Sequence, residues 1–213
     1  MILAAGLGKR MRPLTDKTPK PLLKVQGKPL LQHHIEKLAS AGIKELIINH
    51  ARMGAQIESY FGVGKSLGVN IQYSAEGDSP LETGGGIKQA LPLIDDEVFV
   101  VINADIWTDY EYACLPANPS ALAHLVMVDN PAHHPQGDFH LHNNRLSSTG
   151  DPRLTYSGIG VFRSALFDHC EETVFPLAPV LVAAMEDQQI HGEYFSGRWL
   201  DIGTPERLSE LNK

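Results

Sequence analysis

The 213-residue sequence predicts an α/β protein with a mixed, mostly parallel central sheet and helices packed on its faces. Apolar strand-like runs alternate with helical periodicity through the first half of the chain, as in sheets built with right-handed crossovers. Residues 98–102, Val-Phe-Val-Val-Ile, form an unbroken run that indicates a strand buried on both faces. The composition is that of a globular domain, with 43% hydrophobic and 20% charged residues.

The elements of the first half can be assigned in order. A compact apolar strand over residues 2–5 opens the chain. Pro29 begins a helix whose apolar residues recur at helical spacing, and Gly42 ends it. The remaining elements predicted here are strands at 45–49, 69–74 and 98–102 and helices at 56–61 and from Gly85 or Gly86 to Leu91.

The pattern changes after Asp105, where turn-rich connections separate the strands. No linker divides the chain, so we expect one domain of residues 1–213 with two halves, 1–105 and 106–213. The later predicted elements are strands at 121–128, 138–142, 156–162 and 193–200, a helix at 176–186 and a last helix capped by Thr204.

Charge and hydropathy restrict the kinds of partner. A net charge of −7 argues against a general nucleic-acid binder, yet it allows a local basic pocket. No apolar run reaches membrane-spanning length and no charged leader precedes an apolar segment, so we expect a cytoplasmic protein without a membrane partner. Cys114 and Cys170 match no zinc-ligand or redox spacing and are expected to be free thiols.

The first strand leads into Gly6-Leu7-Gly8, and cations follow at once. Small residues let the backbone approach a ligand, and successive N–H groups can form an anion-binding nest. Seven of the 18 Lys and Arg residues lie between positions 9 and 28, where Asp16 is the one acidic residue. The alternative is an ordinary turn with solvated lysines. The coincidence of motif and charge favours a phosphate site.

Two common phosphate-binding motifs are excluded. The third glycine of G-x-G-x-x-G would fall on Met11, and the acidic residue expected to follow is missing. Gly64-Lys65-Ser66 mimics the end of a P-loop, but the first glycine of that motif would be Ser59.

Residues 3–15, Leu-Ala-Ala-Gly-Leu-Gly-Lys-Arg-Met-Arg-Pro-Leu-Thr, followed by Pro19-Lys20-Pro21, resemble the signature of sugar nucleotidyltransferases. The resemblance continues, in the family's order, at 81–86, 103–105 and 199–204. It implies a three-layer, Rossmann-like nucleotidyltransferase fold in which residues 1–105 bind the nucleotide and residues 106–213 bind the sugar. It also implies a reaction between a nucleoside triphosphate and a sugar 1-phosphate.

Within this family, the short length and the segments 81–86, 105–110 and 128–134 are similar to enzymes that transfer UMP from UTP to N-acetylmuramic acid α-1-phosphate. The products would be UDP-N-acetylmuramic acid and pyrophosphate, in cell-wall recycling, with Mg²⁺ as the cofactor. A hexose-1-phosphate guanylyl- or thymidylyltransferase is an alternative, and so is a nucleotide-binding paralogue without catalysis. The oligomeric state stays open between monomer and dimer.

The resemblance also implies roles for individual residues, with Arg10, Lys20 and Asp105 as the catalytic set. Arg10 would clamp the β- and γ-phosphates, and Lys20 would reach the α-phosphate and the incoming phosphate. Glu76 resembles the position that reads the base, since a carboxylate suits the N–H edge of uracil, although an ordinary loop acid is as good an interpretation. The expected nucleotide contacts are Leu3, Ala4, Ala5, Gly6, Gly8, Arg10, Lys20, Glu76, Glu82 and Thr83.

Asp105 and Asp201 are the expected Mg²⁺ ligands. Asp105 follows the carboxyl end of a central strand, where α/β sheets bind ligands. Without the resemblance, Asp201 is interpreted as an acid leading into the last helix. The sugar-side residues are less typical of the family, because its usual Glu-Lys-Pro and Asn-Thr-Gly segments are replaced. The expected sugar contacts are Asn103, Gly137, Asp138 and Asp151.

Histidines cluster at positions 133, 134, 140 and 142. A transition-metal site is conceivable, but surface or substrate-rim histidines are the favoured interpretation because no thiolate supports metal ligation. His33 and His34 lie in the first predicted helix and are expected to be structural.

Overall fold

The computed structural model describes residues 1–212 and shows an α/β fold in three layers. The strands are β1 (Ile2–Leu3), β2 (Lys24–Val25), β3 (Lys28–Pro29), β4 (Glu45–His50), β5 (Asn70–Ala75), β6 (Val98–Asn103), β7 (Ile106–Thr108), β8 (Ala123–Val128), β9 (Phe139–His142), β10 (Arg145–Ser147), β11 (Arg153–Arg163), β12 (Ile190–Tyr194) and β13 (Trp199–Asp201). The helices are α1 (Leu30–Ser40), α2 (Gly54–Phe61), α3 (Glu82–Ala90), α4 (Leu177–Glu186) and α5 (Pro205–Leu211).

The central sheet has nine strands in the order β5-β4-β1-β6-β11-β8-β12-β10-β9. Its first four strands are parallel, but β11 runs antiparallel to both of its neighbours, β6 and β8. The expected mixed sheet is therefore present, whereas a mostly parallel one is not confirmed. The difference arises in the second half, where short connections favour antiparallel pairs. Between β9 and β10, for example, Asn143 and Asn144 both have positive φ and close a two-residue hairpin.

The single strand predicted for residues 193–200 is wrong, because this region belongs to two different strands. The region 193–200 is divided between β12, in the central sheet, and β13, which pairs with β7 in a separate two-stranded sheet. The chain turns between them at Gly197, where a Cβ would lie 2.7 Å from the Asp109 carboxylate. This break carries β13 away from the central sheet and brings Asp201 to the strand that follows Asp105.

Helix α3 begins at Glu82, earlier than the predicted start at Gly85 or Gly86. Its glycines are explained by close packing, because a Cβ on Gly84 would lie 2.9 Å from the Phe175 carbonyl oxygen. The Gly85 N–H donates to that same carbonyl at 3.1 Å. A Cβ on Gly86 would lie 2.5 Å from the Glu76 carboxylate. Glycine has a low helix propensity, but these close contacts on two sides of the helix leave no room for a larger residue.

Two hydrophobic clusters cover the faces of the sheet. One contains buried residues of α3 and α4, and the other contains buried residues of α1 and α2. The predicted two-sided burial of β6 is present, since Val101 belongs to the first cluster and Ile102 to the second. These two clusters produce the helix–sheet–helix layering.

A third, smaller cluster joins the two ends of the chain. Met11 packs with Ile202, Leu208 and Leu211, so the loop after β1 lies beside α5. Helix α5 is capped as expected, with the Thr204 hydroxyl accepting from the Arg207 N–H. This packing sets the position of the basic N-terminal segment relative to Asp201.

The direction of the strands places the functional segments at one edge. Strands β1, β4, β5 and β6 are parallel, and β8 shares their direction because β11 is antiparallel to both β6 and β8. The loops after these strands therefore emerge together, where α/β sheets bind ligands. Within residues 1–212, none of the helices has the length and apolar character needed to cross a bilayer.

Candidate active site

A cleft of about 480 Å³ opens at this edge. Every residue expected to contact the nucleotide lines it, together with Asn103 and Asp105. The predicted residues that it brings together are Leu3, Ala4, Ala5, Gly6, Gly8, Arg10, Lys20, Glu76, Glu82, Thr83, Asn103 and Asp105. Asp201, Gly137, Asp138 and Asp151 are outside its lining, although Gly203 brings the chain beyond Asp201 to the cleft.

The glycines of the first loop have different physical roles. Gly8 has φ +59°, and a Cβ there would lie 3.0 Å from Thr15 Cγ2. Its carbonyl accepts from the Thr15 hydroxyl at 2.8 Å and from the Met11 N–H at 2.9 Å, so this turn is part of the fold. A Cβ on Gly6 would meet no protein atom within 4 Å. Internal packing therefore does not require glycine at position 6, which leaves its backbone open to a ligand.

Lys20 is buried, and its Nζ lies 2.7 Å from Oδ2 of Asp105. The lysine sits in a short helical turn with Pro19 before it and Pro21 inside it, which restricts the backbone. The Asp105 side chain is 46% exposed, so the ion pair has one buried and one accessible partner. The pair joins the basic segment to the end of β6.

Asp201 ends β13 and lies opposite the first residue of β7, which directly follows Asp105. Asp201 is paired with Ile106, and the Ile202 N–H donates to the Asp105 carbonyl at 2.7 Å. The backbone segments that carry Asp105 and Asp201 are therefore adjacent although they are far apart in sequence. Within residues 1–212, no group of three or more His, Cys, Asp or Glu side chains is arranged to hold a metal ion.

Asp201 is surrounded by donors. Its Oδ2 lies 2.6 Å from Arg207 Nη1 and its Oδ1 lies 3.1 Å from His133 Nε2. A Cβ on Gly203 would lie 3.1 Å from Asp201 Oδ2 and 3.3 Å from Arg10 Nη2. The guanidinium of Arg10 and the carboxylate of Asp201 thus both lie against Gly203, at one end of the cleft.

The opposite end of the cleft is organised by Glu76 and Asn49. Asn49 is 2% exposed; its Oδ1 accepts from the Ala4 N–H at 2.7 Å, and its Nδ2 donates to Glu76 Oε1 at 2.5 Å. The other carboxylate oxygen of Glu76 accepts from the Leu81 N–H at 2.7 Å. Glu76 is therefore held in a fixed orientation in the cleft, and an isolated loop acid does not describe it.

Asn103 and Gly158 connect the cleft to the second half of the chain. Gly158 has φ +80°, and a Cβ there would lie 2.6 Å from Asn103 Nδ2. The Asn103 side chain therefore rests on the backbone of β11. Beside it, the Trp199 indole N–H donates to the Ser157 carbonyl at 2.9 Å. Only a glycine permits this approach of β6 and β11.

Asp138 is fixed by two donors. Its Oδ2 accepts from the Tyr156 N–H at 2.8 Å, and its Oδ1 lies 3.0 Å from His134 Nε2. Gly137 has φ +63° and a Cβ there would lie 2.7 Å from Asn130 Oδ1, so glycine is required at this bend. Asp151 lies apart, on an exposed turn before β11.

Comparison with known proteins identifies the family. The model of the nucleotidyl transferase family matches residues 1–139. The chain belongs to this family. It is 48% identical to N-acetylmuramate alpha-1-phosphate uridylyltransferase of Neisseria meningitidis, over 99% of this chain and 95% of that protein. It is 31% identical to the protein of the same name from Caulobacter vibrioides, over 97% and 92% of the two chains.

Solved structures share the nucleotidyl transferase fold. A candidate glucose-1-phosphate thymidylyltransferase from Bacillus anthracis, solved with sucrose, superposes with a TM-score of 0.86 at 22% identity, covering 99% of this chain and 92% of the other. HddC from Yersinia pseudotuberculosis, in complex with GMP-PN, superposes with a TM-score of 0.80 at 22% identity, covering 99% and 96%.

The structure of this nucleotidyl transferase adds residues that the sequence analysis missed. Asn49 lies in β4 and belongs to no motif, and its role follows from the parallel register that sets it opposite Leu3. Arg207 lies in α5, and its contact with Asp201 depends on the packing of that helix. His133 was seen only as one of several clustered histidines. The four clustered histidines do not form one group. His140 and His142 stack on each other in β9, with ring centroids 6.2 Å apart, whereas His133 and His134 contact Asp201 and Asp138.

Proposed function

We propose that the chain transfers UMP from UTP to N-acetylmuramic acid α-1-phosphate, releasing pyrophosphate and forming UDP-N-acetylmuramic acid. The observation that supports the chemistry is that Lys20 pairs with Asp105 in the cleft, while Arg10 and Asp201 both lie against Gly203, which lines it. The nearly full-length similarity to relatives named for this substrate supports the choice of sugar. A cytoplasmic location fits a protein that consumes UTP.

The reaction brings two polyanions together, so charge neutralisation is the first requirement. A sugar phosphate oxygen forms a bond to the α-phosphorus of UTP, and the bond from that phosphorus to the pyrophosphate oxygen breaks. No covalent intermediate on the protein is needed, because the attacking phosphate is already an anion. The protein therefore acts by positioning and by electrostatic stabilisation.

Arg10 and Lys20 would neutralise different phosphates of the substrates. Arg10 would donate to the departing pyrophosphate in the planar, two-point geometry that guanidinium allows. Lys20 would donate to the α-phosphate, because its buried stem holds the ammonium group beside Asp105 at the end of β6. The backbone of Gly6 and its neighbours would approach the triphosphate closely, which the open space above Gly6 permits.

Asp105 and Asp201 are the residues that would hold a magnesium ion. The backbone bond from the Ile202 N–H to the Asp105 carbonyl brings their two segments together, and Mg²⁺ usually takes one or two protein carboxylates and completes its shell with phosphate oxygens and water. When bound, the ion would neutralise phosphate charge as it develops during transfer. Arg207 keeps Asp201 oriented through its contact at 2.6 Å.

At the other end of the cleft, Glu76 would accept the N–H of uracil. Its carboxylate is oriented by Asn49 and by the Leu81 N–H, and each carboxylate oxygen can accept more than one hydrogen bond. The Ala4 N–H is bound by the same asparagine, so the first strand and the base-reading residue are positioned together.

Phosphate release in the presence of pyrophosphatase tests the proposal. Purified protein, Mg²⁺ and UTP should give phosphate with N-acetylmuramic acid α-1-phosphate, and much less with glucose 1-phosphate or mannose 1-phosphate. UTP should be preferred over GTP, dTTP and CTP. A preference for GTP or dTTP with a hexose 1-phosphate would instead establish the alternative transferase. No phosphate with any pair, while UTP still binds, would show a nucleotide-binding protein without transfer.

A further inference from the structure

The segment of residues 130–138, which we call the histidine loop, follows β8 at the active-site edge. Its first residue is anchored, since Asn130 Nδ2 donates to the Arg153 carbonyl at 2.9 Å and Asn130 Oδ1 accepts from the Thr155 hydroxyl at 2.8 Å. Its last residues are the required bend at Gly137 and the anchored Asp138. Both ends of the histidine loop are therefore fixed to the second half of the chain by specific contacts.

Its two adjacent histidines bind acids on different sides of the loop. His133 Nε2 lies 3.1 Å from Asp201, at the phosphate end, and His134 Nε2 lies 3.0 Å from Asp138, beside β11. The loop thus extends from the proposed metal ligand to the residue that holds Tyr156. Because Asp201 lies against Gly203, which lines the cleft, the loop is connected to the cleft through His133.

N-acetylmuramic acid differs from N-acetylglucosamine by a lactyl ether that carries a carboxylate. The cations that line the cleft are Lys9, Arg10 and Lys20, of which Arg10 and Lys20 are assigned to the phosphates, and Arg207 is engaged with Asp201. A second carboxylate on the sugar therefore needs a donor from the sugar-binding half, where charge-assisted hydrogen bonds are the strong ones.

His134 is placed to supply it. Its side chain is 38% exposed, and its Nε2 is held by Asp138, whose other oxygen is fixed by the Tyr156 N–H. An imidazolium donates from both ring nitrogens, so a ring held through Nε2 keeps Nδ1 for another acceptor. We infer that His134 is a specificity-determining residue that binds the lactyl carboxylate of the sugar substrate. This inference rests on the proposed function.

The test compares two substrates that differ only in the lactyl ether, N-acetylmuramic acid α-1-phosphate and N-acetylglucosamine α-1-phosphate. For His134→Gln, kcat/KM should fall by about tenfold or more with the first substrate, mainly through KM, and should stay unchanged with the second. His142→Gln, an exposed histidine of β9 outside the loop, is the matched control and should change neither value.

The outcomes separate the two proposals. Equal losses with both substrates would show that His134 only supports the site through Asp138, and unchanged values with both would show no role; either result overturns the inference while the proposed function stands. If the unsubstituted protein fails to use N-acetylmuramic acid α-1-phosphate with UTP, the proposed function fails and the inference falls with it. Thermal unfolding of each variant shows whether a loss of kcat/KM is caused by misfolding. If His134→Gln is misfolded, a second variant, His134→Asn, has to reproduce the substrate-selective loss.

Discussion

Lys20 and Asp105 form an ion pair in which Nζ lies 2.7 Å from Oδ2, although the lysine is buried and the aspartate is half exposed. The contact joins the basic segment after β1 to the end of β6. Removing the lysine would leave an accessible carboxylate that water can solvate, so a stable fold should survive. The same change would remove a cation from the point where the α-phosphate is proposed to lie.

We therefore expect Lys20→Met to lower kcat by about 10²–10³-fold, the range found when one positioned donor to a developing charge is lost. The thermal midpoint should change little. Lys24→Met, an exposed lysine of β2, is the control and should retain nearly full activity. Steady-state rates of pyrophosphate formation measure both variants. A Lys20→Met rate within threefold of the control would exclude the proposed role.

A substitution at Gly6 tests whether glycine is needed there for ligand contact and not for internal packing. Because a Cβ at this position meets no protein atom, Gly6→Ala should leave the free energy of unfolding within about 0.5 kcal/mol of the parent protein. The added methyl group would stand where the triphosphate is proposed to approach, so KM for UTP should rise about tenfold or more. Urea unfolding and UTP saturation curves give the two values. Unchanged UTP saturation would mean that the nucleotide does not touch this backbone.

Asn49 should affect the uracil end of the cleft and leave the phosphate end intact. Asn49→Ala frees one oxygen of Glu76 and leaves the Ala4 N–H without its partner, so we expect a loss of stability of about 1–3 kcal/mol. The preference for UTP over CTP should also fall, because Glu76 is no longer held. The ratio of kcat/KM for the two nucleotides is the measurement. Equal losses with both would limit Asn49 to a structural role.

His34 makes stability depend on pH. It is buried in α1, where it bonds to the Tyr112 hydroxyl and the Ile106 carbonyl, and burial lowers its pKa from 6.5 to about 4. The unfolded chain therefore takes up the proton first as the pH falls. The stabilisation from the neutral ring is complete above pH 6.5, decreases below it and is exhausted near pH 4, with a total of about 3 kcal/mol.

Denaturant unfolding of the parent protein and of His34→Gln between pH 4 and 8 checks this direction. The variant should be less stable at pH 8 and should show a smaller decrease in stability between pH 6.5 and pH 4. Parallel pH curves for the two proteins would mean that this histidine does not take part in acid destabilisation.

Much of the fold could be predicted from local patterns. Local sequence patterns were enough to predict β4, β5, β6 and α1. Each of these elements buries a continuous face, which produces a recognisable pattern of apolar residues. The three-residue strands β7 and β10 were missed, since they are too short to show any alternation. The antiparallel insertion of β11 also could not be predicted, because strand direction in a mixed sheet is decided by contacts distant in sequence.

The same division holds for the site. The nucleotide side follows a continuous segment, so a motif was enough to locate Gly6, Arg10 and Lys20 in one cleft. Asn49 and His133 could not be assigned in this way, since each acts through a partner from a distant part of the chain. Single residues at strand ends and in loops acquire such roles only when the sheet is assembled.

The joint role of Asp105 and Asp201 is tested most directly by an anomalous difference map from a crystal grown with Mn²⁺ and UTP. We predict one metal peak within about 2.2 Å of an oxygen of each carboxylate, and of phosphate oxygens of the nucleotide. A nucleotide bound in the cleft with the metal peak distant from either aspartate would contradict the account.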